Sequence, residues 1–462
     1  RLVGSEMCIR DRECISTCTS ALYRVFAART SALEGKVKVI HLISGGDTGG
    51  ARTHVYSLLK YLGQIIDVQL VCFRGGDFAD GAAALGIPTM VLGKGFLANL
   101  GALKRIIRDG EYDLVHCHGA LANVTGALLR RHLHVPVIST VHSDYRLDYL
   151  GRPLHRLTYG TINTVALRMF DYHIGVSDAM AQLLISRGFD PQTMFAIYNG
   201  IDFTPVTPKL GREDYLRSVG LEVQDDTVVF GIAARLDPVK DMPTLIRGFS
   251  IAVKDHPNIR LLIAGEGEQR QTLEKLAADT CPPGSVVFAG WVTDMDSFYH
   301  ALDVNTLTSL SETFPYAITE GARMRCATIA SNVGGIPYII EHGVTGLLFE
   351  PQNAEALGAC MTRLAESRAM REQLGENLYE KASHEFSIDA TVGKQIEIYQ
   401  TILRRTAQPK KKKSGVLICG AYGFGNTGDD AILQAIIGEM RRIDPHTVSY
   451  THLRAHETEL HL

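Results

Sequence analysis

Two glutamates eight positions apart, Glu312 and Glu320, suggest chemistry by their type and spacing. Pro315 between them suits the first turn of a helix, because its missing N–H would have no partner there. Glu312 is then expected in the loop before the helix and Glu320 in its second turn. Since a helix N-terminus attracts phosphate, the carboxylates would flank an anion site and suit a ligand with terminal hydroxyls and central phosphates, such as a nucleotide sugar. The plainer alternative is two solvated glutamates on a helix face.

A pair of basic residues, Arg235 and Lys240, lies upstream in a loop that follows a strand-like run. An arginine fork binds diphosphate oxygens in bidentate fashion, whereas lysine acts as a point charge. The alternative is that both residues only form surface ion pairs with Asp237 and Asp241. Exposed pairs of that kind contribute about 0–1 kcal/mol.

A Gly-Gly-x-Pro sequence, beginning at Gly334 and Gly335, follows a second strand-like run at residues 327–331. The set Arg-x4-Lys, Glu-x7-Glu and Gly-Gly-x-Pro, in this chain order, resembles the retaining glycosyltransferases of family four. The resemblance covers roughly residues 36–405. It implies an α/β fold of the GT-B architecture, in which two facing Rossmann-like, doubly wound domains hold the active site in the cleft between them.

The resemblance also implies how the donor is held. The nucleotide lies on the second domain, where Glu320 accepts hydrogen bonds from the ribose hydroxyls. Arg235 and Lys240 hold the diphosphate and stabilise the charge that builds on it as the glycosidic bond breaks. This electrostatic catalysis requires neither a metal nor a cofactor.

Contacts to the transferred sugar follow from the same resemblance. Glu312 and the amides near Phe314 hold its hydroxyls, and Gly334 and Gly335 complete the donor site. No carboxylate nucleophile of the retaining-hydrolase kind stands out. The expected route is a same-face displacement in which the leaving phosphate helps to deprotonate the acceptor, and domain closure excludes water.

The first domain begins with a strand-like run at residues 37–43, followed by a Gly-rich turn and a helix-like stretch. This order lets a backbone approach a phosphate closely. Glycine also serves any tight turn, so the turn alone is weak evidence. The resemblance assigns it to the donor diphosphate, with Gly46, Gly49 and Gly50 as binding residues.

Three histidines end strand-like runs, where open α/β sheets bind ligands. The resemblance places His142 against the transferred sugar; a histidine satisfied within its loop is the alternative. His116 and His118 are metal ligands by type, but two histidines at i, i+2 without a carboxylate make a poor zinc site. We interpret both as lining the acceptor cleft.

The composition excludes several classes of protein. A chain of 462 residues predicts two to three domains, and a net charge of -3 gives no nucleic-acid signature. The 9 cysteines form no CxxC pair, which favours reduced cytosolic thiols. No apolar run reaches the ~18 residues of a membrane span. These features favour a cytoplasmic protein, and the family resemblance implies a bacterial enzyme.

Strand-like and helix-like runs alternate along both halves, which predicts two parallel sheets. The expected order is a Rossmann-like acceptor-side domain, a Rossmann-like nucleotide-sugar domain and a helix that crosses back to the first domain. The predicted bounds are 36–203, 204–388 and 389–405.

The ends carry separate expectations. Residues 1–35 and 448–462 include sequence resembling translated sequencing-adaptor read-through, so we exclude both from fold reasoning. Residues 406–414 form a basic linker, which is either solvated or in peripheral contact with anionic lipid on the inner membrane face. Residues 415–447 resemble the truncated start of a polysaccharide pyruvyl transferase.

The expected function is transfer of a sugar from a UDP- or GDP-sugar to a glycan, lipid-linked or small-molecule acceptor in cell-wall or surface polysaccharide synthesis. The alternative from another class is a nucleotide-sugar-binding protein of the same fold without transfer activity. The chain departs from the family pattern in three places. Thr-Phe-Pro replaces Gly-Phe-Gly between the glutamates, Gly-Ala-Arg replaces Ala-Met-Ala after Glu320, and Tyr338 stands where a glutamate is common. These put the identity of the sugar in doubt.

Overall fold

A computed structural model describes residues 37–46, 50–93, 95–144 and 160–407, together with Ala435, Glu439 and Arg442. Its contacts divide the chain into two units, residues 1–407 and 408–462. In the second unit the three described residues are helical, and Arg442 donates to Glu439. The expectations for residues 1–35, the lysine run, the pyruvyl transferase-like segment and the C-terminal tail lie outside the described residues.

The first sheet is parallel and seven-stranded within the described residues, in the order β3-β2-β1-β4-β5-β6-β7. Its strands are β1 (Lys38–Ile43), β2 (Asp67–Cys72), β3 (Thr89–Val91), β4 (Leu114–His118), β5 (Val137–Val141), β6 (Tyr172–Gly175) and β7 (Met194–Ala196). The helices between them are α1 (Gly50–Leu62), α2 (Asp77–Ala84), α3 (Phe96–Asp109), α4 (Ala120–Arg130), α5 (Thr161–Leu167) and α6 (Asp178–Ser186). The central strands β4 and β5 are buried at every residue, although each carries two polar side chains.

The second sheet is also parallel, with six strands in the order β10-β9-β8-β11-β12-β13 among the described residues. Its strands are β8 (Val228–Ala233), β9 (Ile259–Ala264), β10 (Val286–Gly290), β11 (Val304–Leu307), β12 (Ala327–Ser331) and β13 (Leu347–Phe349). Its helices are α7 (Arg212–Ser218), α8 (Met242–Asp255), α9 (Arg270–Thr280), α10 (Met295–His300), α11 (Tyr316–Arg323), α12 (Ile336–Ile339), α13 (Ala354–Glu366) and α14 (Arg368–Glu385).

The last helix, α15 (Ile388–Ala407), packs on the first sheet. Its residues Val392, Ile396 and Tyr399 share one buried apolar cluster with Val39 of β1 and Leu58 of α1. The predicted crossover helix, 389–405, falls within these bounds. Since α15 extends to Ala407, the first residues of the predicted linker are helical.

The strand order reverses at β1/β4 in the first sheet and at β8/β11 in the second. Open α/β sheets bind ligands outside the carboxyl ends of the strands at such switch points. The loops that follow β1, β4, β8 and β11 are therefore the places where a site is expected. None of the helices in the described part of the chain combines the length and apolarity that a membrane span requires.

Candidate active site

Lys240 and Glu312 meet beyond the carboxyl ends of β8 and β11. Lys240 Nζ donates to Glu312 Oε1 at 2.5 Å, and Ser309 Oγ donates to the same oxygen at 2.6 Å. The Lys240 and Glu312 side chains are only 20% and 12% exposed. The ammonium and carboxylate are therefore held together in a largely water-excluded place, where their charges are screened less than on the surface.

The loop after β8 is tied to the loop after β11 through its backbone. Thr308 Oγ1 donates to the Lys240 carbonyl at 2.7 Å, and the Leu310 N–H donates to the Val239 carbonyl at 2.8 Å. A 3₁₀ turn, Pro238–Lys240, ends at Asp241, which lies in the left-handed region at φ 46°. Aspartate tolerates that conformation better than most residues do. This turn sets the position of Lys240.

Arg235 lies on the same loop but outside the ion pair of Lys240 and Glu312. Its side chain is 78% exposed and pairs with Asp237 at 3.2 Å. The alternative of surface pairing is thus seen for Arg235, whereas Lys240 pairs with Glu312 instead of Asp241. The exposed guanidinium is free to move toward a ligand.

Gly334 and Gly335 pack directly on the backbone of Glu312 and Thr313. The Gly335 N–H donates to the Glu312 carbonyl at 3.0 Å. A Cβ at Gly334, where φ is 53°, would lie 1.9 Å from the Glu312 oxygen, and one at Gly335 would lie 1.9 Å from the Thr313 oxygen. The two glycines therefore shape the loop that carries Glu312.

Phe314 and Pro315 precede α11. The Phe314 ring is buried between Tyr198 and Phe386, with ring centroids 5.8 and 5.3 Å away. Only its backbone can then contact a ligand, as the sequence-based expectation requires. Pro315 is the N-cap residue just before the helix, not a residue of its first turn.

Glu320 lies in the second turn of α11, as predicted. Burial raises the pKa of its carboxyl. Two buried tyrosine hydroxyls, Tyr299 and Tyr316, have no hydrogen-bond partner; burial first, and the nearby Glu320 charge second, raise the pKa of both. Although Tyr299 lies close to Glu320, the pair does not meet hydrogen-bond geometry. The Glu320 carboxylate can accept hydrogen bonds from a polyhydroxyl ligand, whereas both tyrosine hydroxyls are enclosed by protein atoms.

The Gly-rich turn of the first domain faces α11. Gly46 donates its N–H to Ser44 Oγ at 3.2 Å, and Gly50 is the first residue of α1. A Cβ at Gly50 would lie 3.8 Å from the ring of Tyr316. The N-termini of α1 and α11 thus meet across the cleft, which concentrates the N–H groups that favour phosphate. Gly49 lies outside the described residues.

His142 follows β5 and lines a pocket of about 320 Å³. His118, Asn123, Asn163 and Thr140 also line it. The pocket lies at the carboxyl ends of β1, β4 and β5, where open α/β sheets bind their ligands. His118 thus lines a pocket, and its assignment to the acceptor cleft stays a prediction.

His116 does not line that pocket, which corrects the prediction. It is fully buried beneath His118, where its Nδ1 contacts Tyr399 Oη at 2.6 Å and its Nε2 contacts Thr140 Oγ1 at 2.7 Å. His116 and His118 lie on the same face of β4, as residues i and i+2 of a strand do. At His116, which lies farther from the carboxyl end of the strand, α15 covers that face.

Sequence reasoning missed two further histidines beside this pocket, His41 of β1 and His54 of α1. His41 Nδ1 contacts His118 Nε2 at 3.0 Å, and the rings of His54 and His142 lie 5.0 Å apart. Burial lowers the pKa of His41 to about 3 and of His54 to about 4, and it also lowers the pKa values of His116, His118 and His142 well below the usual range. All five rings are neutral near pH 7. A histidine inside an apolar strand was the available signal for His41.

One ring nitrogen from each of His41, His116 and His118 lies within 4.8 Å of the others, a spacing at which three ligands could bind one metal ion. The group has no carboxylate, and its nitrogens already bond to one another, to Tyr399 and to Thr140. Burying a dication there would break these bonds and leave its charge uncompensated. The expected absence of zinc at His116 and His118 remains a prediction.

Known protein families match both halves of the chain. The family model "Glycosyltransferase Family 4" matches residues 48–204, and "Glycosyl transferases group 1" matches residues 217–381. Together they indicate a family-4-like glycosyltransferase of the GT-B type.

Relatives of this glycosyltransferase include two proteins from distant organisms. An uncharacterised glycosyltransferase of Methanocaldococcus jannaschii is 27% identical over 310 residues, 64% of this chain and 77% of that protein. The UDP-Gal:alpha-D-GlcNAc-diphosphoundecaprenol alpha-1,3-galactosyltransferase of Escherichia coli is 23% identical over 345 residues, 72% and 88% of the two chains.

Solved structures share the fold of the glycosyltransferase. Anabaena HepE in complex with UDP has a TM-score of 0.69 at 21% identity and covers 79% of this chain and 100% of its own. Sucrose-phosphate synthase of Thermosynechococcus elongatus has a TM-score of 0.66 at 19% identity, with 80% and 100% coverage. The predicted GT-B architecture is confirmed.

Proposed function

We propose that the chain is a retaining, metal-independent glycosyltransferase that uses a UDP- or GDP-sugar donor, with a glycan, lipid-linked or small-molecule acceptor, in cell-wall or surface polysaccharide synthesis. The observation that carries this proposal is the pair of Lys240 and Glu312 at the switch point of the second sheet. The pair places a cation and a carboxylate side by side, one suited to a leaving phosphate and the other to sugar hydroxyls.

The comparisons support this choice of substrates. HepE has been crystallised with UDP and with UDP-glucose. The name of the Escherichia coli relative specifies a UDP-Gal donor and a diphosphoundecaprenol-linked acceptor. A relative from Thermobifida fusca is named as a D-inositol 3-phosphate glycosyltransferase.

In the proposed mechanism the diphosphate lies between the N-termini of α1 and α11, near Lys240. As the glycosidic bond breaks, negative charge moves onto the leaving diphosphate, where Lys240 and an inward-moving Arg235 stabilise it. Glu312 then accepts from sugar hydroxyls, and Glu320 accepts from the ribose. The acceptor hydroxyl enters through the pocket beside His142. Its oxygen bonds to the anomeric carbon on the face from which the diphosphate leaves, and its proton passes to the leaving phosphate.

The direct test begins with a thermal-shift screen of the full chain over UDP-, GDP- and ADP-sugars. The stabilising donor is then incubated with lipid-linked, glycan and inositol phosphate acceptors while release of the nucleoside diphosphate is measured. The proton spectrum of the product reports its anomeric configuration. A product of inverted configuration would disprove retention, and donor binding without release under any acceptor would favour the binding-protein alternative.

Activity is expected to survive EDTA. The chain contains an Asp-x-Asp sequence at Asp294 and Asp296, but both carboxylates already have partners: Asp294 caps α10 by accepting from Ser297, and Asp296 pairs with Arg323. The diphosphate charge is left to Lys240 and Arg235. Turnover that is lost in EDTA and restored by manganese or magnesium would contradict the metal-free mechanism.

Glu320→Ala is expected to weaken binding of the cognate nucleoside diphosphate by about 1.5–3 kcal/mol, because a buried, charge-assisted hydrogen-bond acceptor is lost. Isothermal titration calorimetry measures the change. Glu341→Ala is a suitable control, since Glu341 is an exposed glutamate outside α11 in the sequence. Unchanged affinity in the Glu320 variant would remove Glu320 from the ribose site.

A further inference from the structure

We propose that a buried chain of hydrogen bonds, running from Tyr399 through His41 and His118, fixes His142 as the tautomer that is protonated at Nε2 and presents Nδ1 as an acceptor. This inference rests on the proposed role of His142 beside the sugar. Tyr399 and His41 do not touch the pocket, so they act as positioning residues.

The proposed chain of hydrogen bonds consists of consecutive contacts between polar atoms of the side chains. Tyr399 Oη lies 3.4 Å from His41 Nε2, His41 Nδ1 lies 3.0 Å from His118 Nε2, and His118 Nδ1 lies 3.2 Å from His142 Nε2. A side branch connects Tyr399 Oη to His116 Nδ1 at 2.6 Å. His116 Nε2 then contacts Thr140 Oγ1 at 2.7 Å.

The direction of every bond in such a chain is coupled. A neutral imidazole has one N–H donor and one lone-pair acceptor, and burial keeps these rings neutral. If His118 accepts at Nδ1, it must donate from Nε2, and His41 must then accept at Nδ1 and donate from Nε2. Consequently, the ring of His142 cannot change tautomer unless the others change with it.

The distances around Tyr399 select one of the two directions. Hydrogen bonds from a hydroxyl are shorter than those from an N–H group. The 2.6 Å contact therefore has Tyr399 donating to His116, and the 3.4 Å contact has His41 Nε2–H donating to the Tyr399 oxygen. Following the chain outward, His118 donates from Nε2 to His41, and His142 donates from Nε2 to His118.

His142 Nδ1 is then unprotonated. Within the described residues His142 has no other hydrogen-bond partner, and it lines the pocket. Its lone pair can accept from a hydroxyl of the sugar or of the acceptor.

The cost of this arrangement argues that it has a use. His41, His116 and His118 occupy the sheet face that elsewhere carries Val39 and Leu114 and is covered by α15. Apolar residues would satisfy that face, whereas buried polar groups are costly unless every one finds a partner. Here the partners form an unbroken path to the pocket.

The test compares Tyr399→Phe with the wild-type chain, both labelled with ¹³C and ¹⁵N at histidine. Loss of the hydroxyl leaves His41 Nε2–H without an acceptor, and an orphaned N–H is less tolerated than an orphaned lone pair. The chain should therefore reverse, and His142 should carry its proton on Nδ1. The ¹⁵N shifts of both ring nitrogens report this, with the His142 signals identified by their loss in His142→Asn.

We expect kcat of Tyr399→Phe to fall by about threefold to tenfold, the equivalent of one hydrogen bond, with an unchanged KM for the donor. Tyr172→Phe is the matched control, because Tyr172 packs on the same apolar cluster but takes no part in the chain of hydrogen bonds. If Tyr399→Phe does not fold, Thr140→Val tests the same idea from the other end, since it removes the acceptor of His116 and should also reverse the chain.

The proposal would be overturned if His142 of the wild-type protein is protonated at Nδ1. It would also be overturned if the ¹⁵N shifts of His142 change in neither Tyr399→Phe nor Thr140→Val. These shifts do not depend on turnover. If the protein turns over no nucleotide sugar but shows the expected ¹⁵N shifts, only the proposed function is contradicted. If turnover is normal but the ¹⁵N shifts do not respond to the substitutions, only the proposed chain of hydrogen bonds is contradicted.

Discussion

Lys240→Ala is expected to lower kcat by about 100- to 1000-fold, the usual effect of losing one contact to a developing anion, with a much smaller change in KM. Lys240 is held by Glu312 at 2.5 Å in a largely buried position. A cation fixed there before the reaction begins does its work when charge reaches the leaving diphosphate, so the loss falls on the transition state. Steady-state kinetics with a saturating acceptor measures it.

The competing explanation is that Lys240 only compensates the Glu312 carboxylate. Removing one partner of a largely buried pair leaves an uncompensated charge and destabilises the fold, while removing both does not. The double variant Lys240→Ala/Glu312→Ala should therefore recover part of the melting temperature without recovering kcat. A folded Lys240→Ala protein with near wild-type kcat would exclude the leaving-group role.

Arg235→Ala is the internal comparison on the same loop. Its exposed side chain, paired with Asp237, contributes little to stability in the ligand-free protein. We expect its kcat to fall in the same direction as that of Lys240→Ala while the melting temperature stays close to wild type. A loss of kcat in both variants, with a loss of stability only in Lys240→Ala, would separate catalysis from folding.

The sequence predicts most of the two sheets because parallel strands buried on both faces are apolar runs. The strand-like run predicted at residues 327–331 coincides with the observed bounds of β12. Of the three three-residue edge strands among the described residues, β3 and β7 escaped prediction. A run of three residues, partly exposed at a sheet edge, carries too little alternation to be distinguished from a loop.

The candidate site was predictable only where residues close in sequence act together. The Arg-x4-Lys and Glu-x7-Glu spacings each fit one loop or one loop–helix junction. The contact between His41 and Tyr399 joins residues 358 positions apart. On its own, Tyr399 fits the apolar stripe of α15, and His41 is one polar residue in an apolar strand. Their partnership depends on the path of α15 back to the first sheet, which no local pattern encodes.

Gly334 and Gly335 are a second case in which the sequence shows a motif but not the spatial contact that explains it. The Gly-Gly-x-Pro sequence is visible, but the reason for Gly334 is not: its neighbour in space is the Glu312 carbonyl, where a Cβ would come within 1.9 Å. Backbone cannot yield as a flexible side chain can. The positive φ of 53° adds a second, independent reason for glycine.

Gly334→Ala is therefore expected to lower the free energy of unfolding by about 3 kcal/mol or more. About 1–2 kcal/mol comes from the left-handed backbone conformation, and the rest comes from the collision with the loop of Glu312. That loop must move, which breaks the bond from the Gly335 N–H to the Glu312 carbonyl and displaces Glu312 from Lys240. We accordingly expect kcat to fall at least about tenfold in the protein that remains folded, because a small misplacement of a positioning group is costly.

Gly343→Ala separates the two causes. Gly343 also has a positive φ, of 79°, but a Cβ there would meet nothing within 4 Å. Its alanine variant should lose only the conformational part of the stability and keep its kcat. Thermal unfolding and steady-state kinetics of the two variants, made side by side, decide the matter. If the melting temperature falls equally in both variants and both keep their kcat, the contact of Gly334 with the Glu312 backbone does not hold that glutamate in place. Glu312 must then be positioned by Lys240 and Ser309 alone.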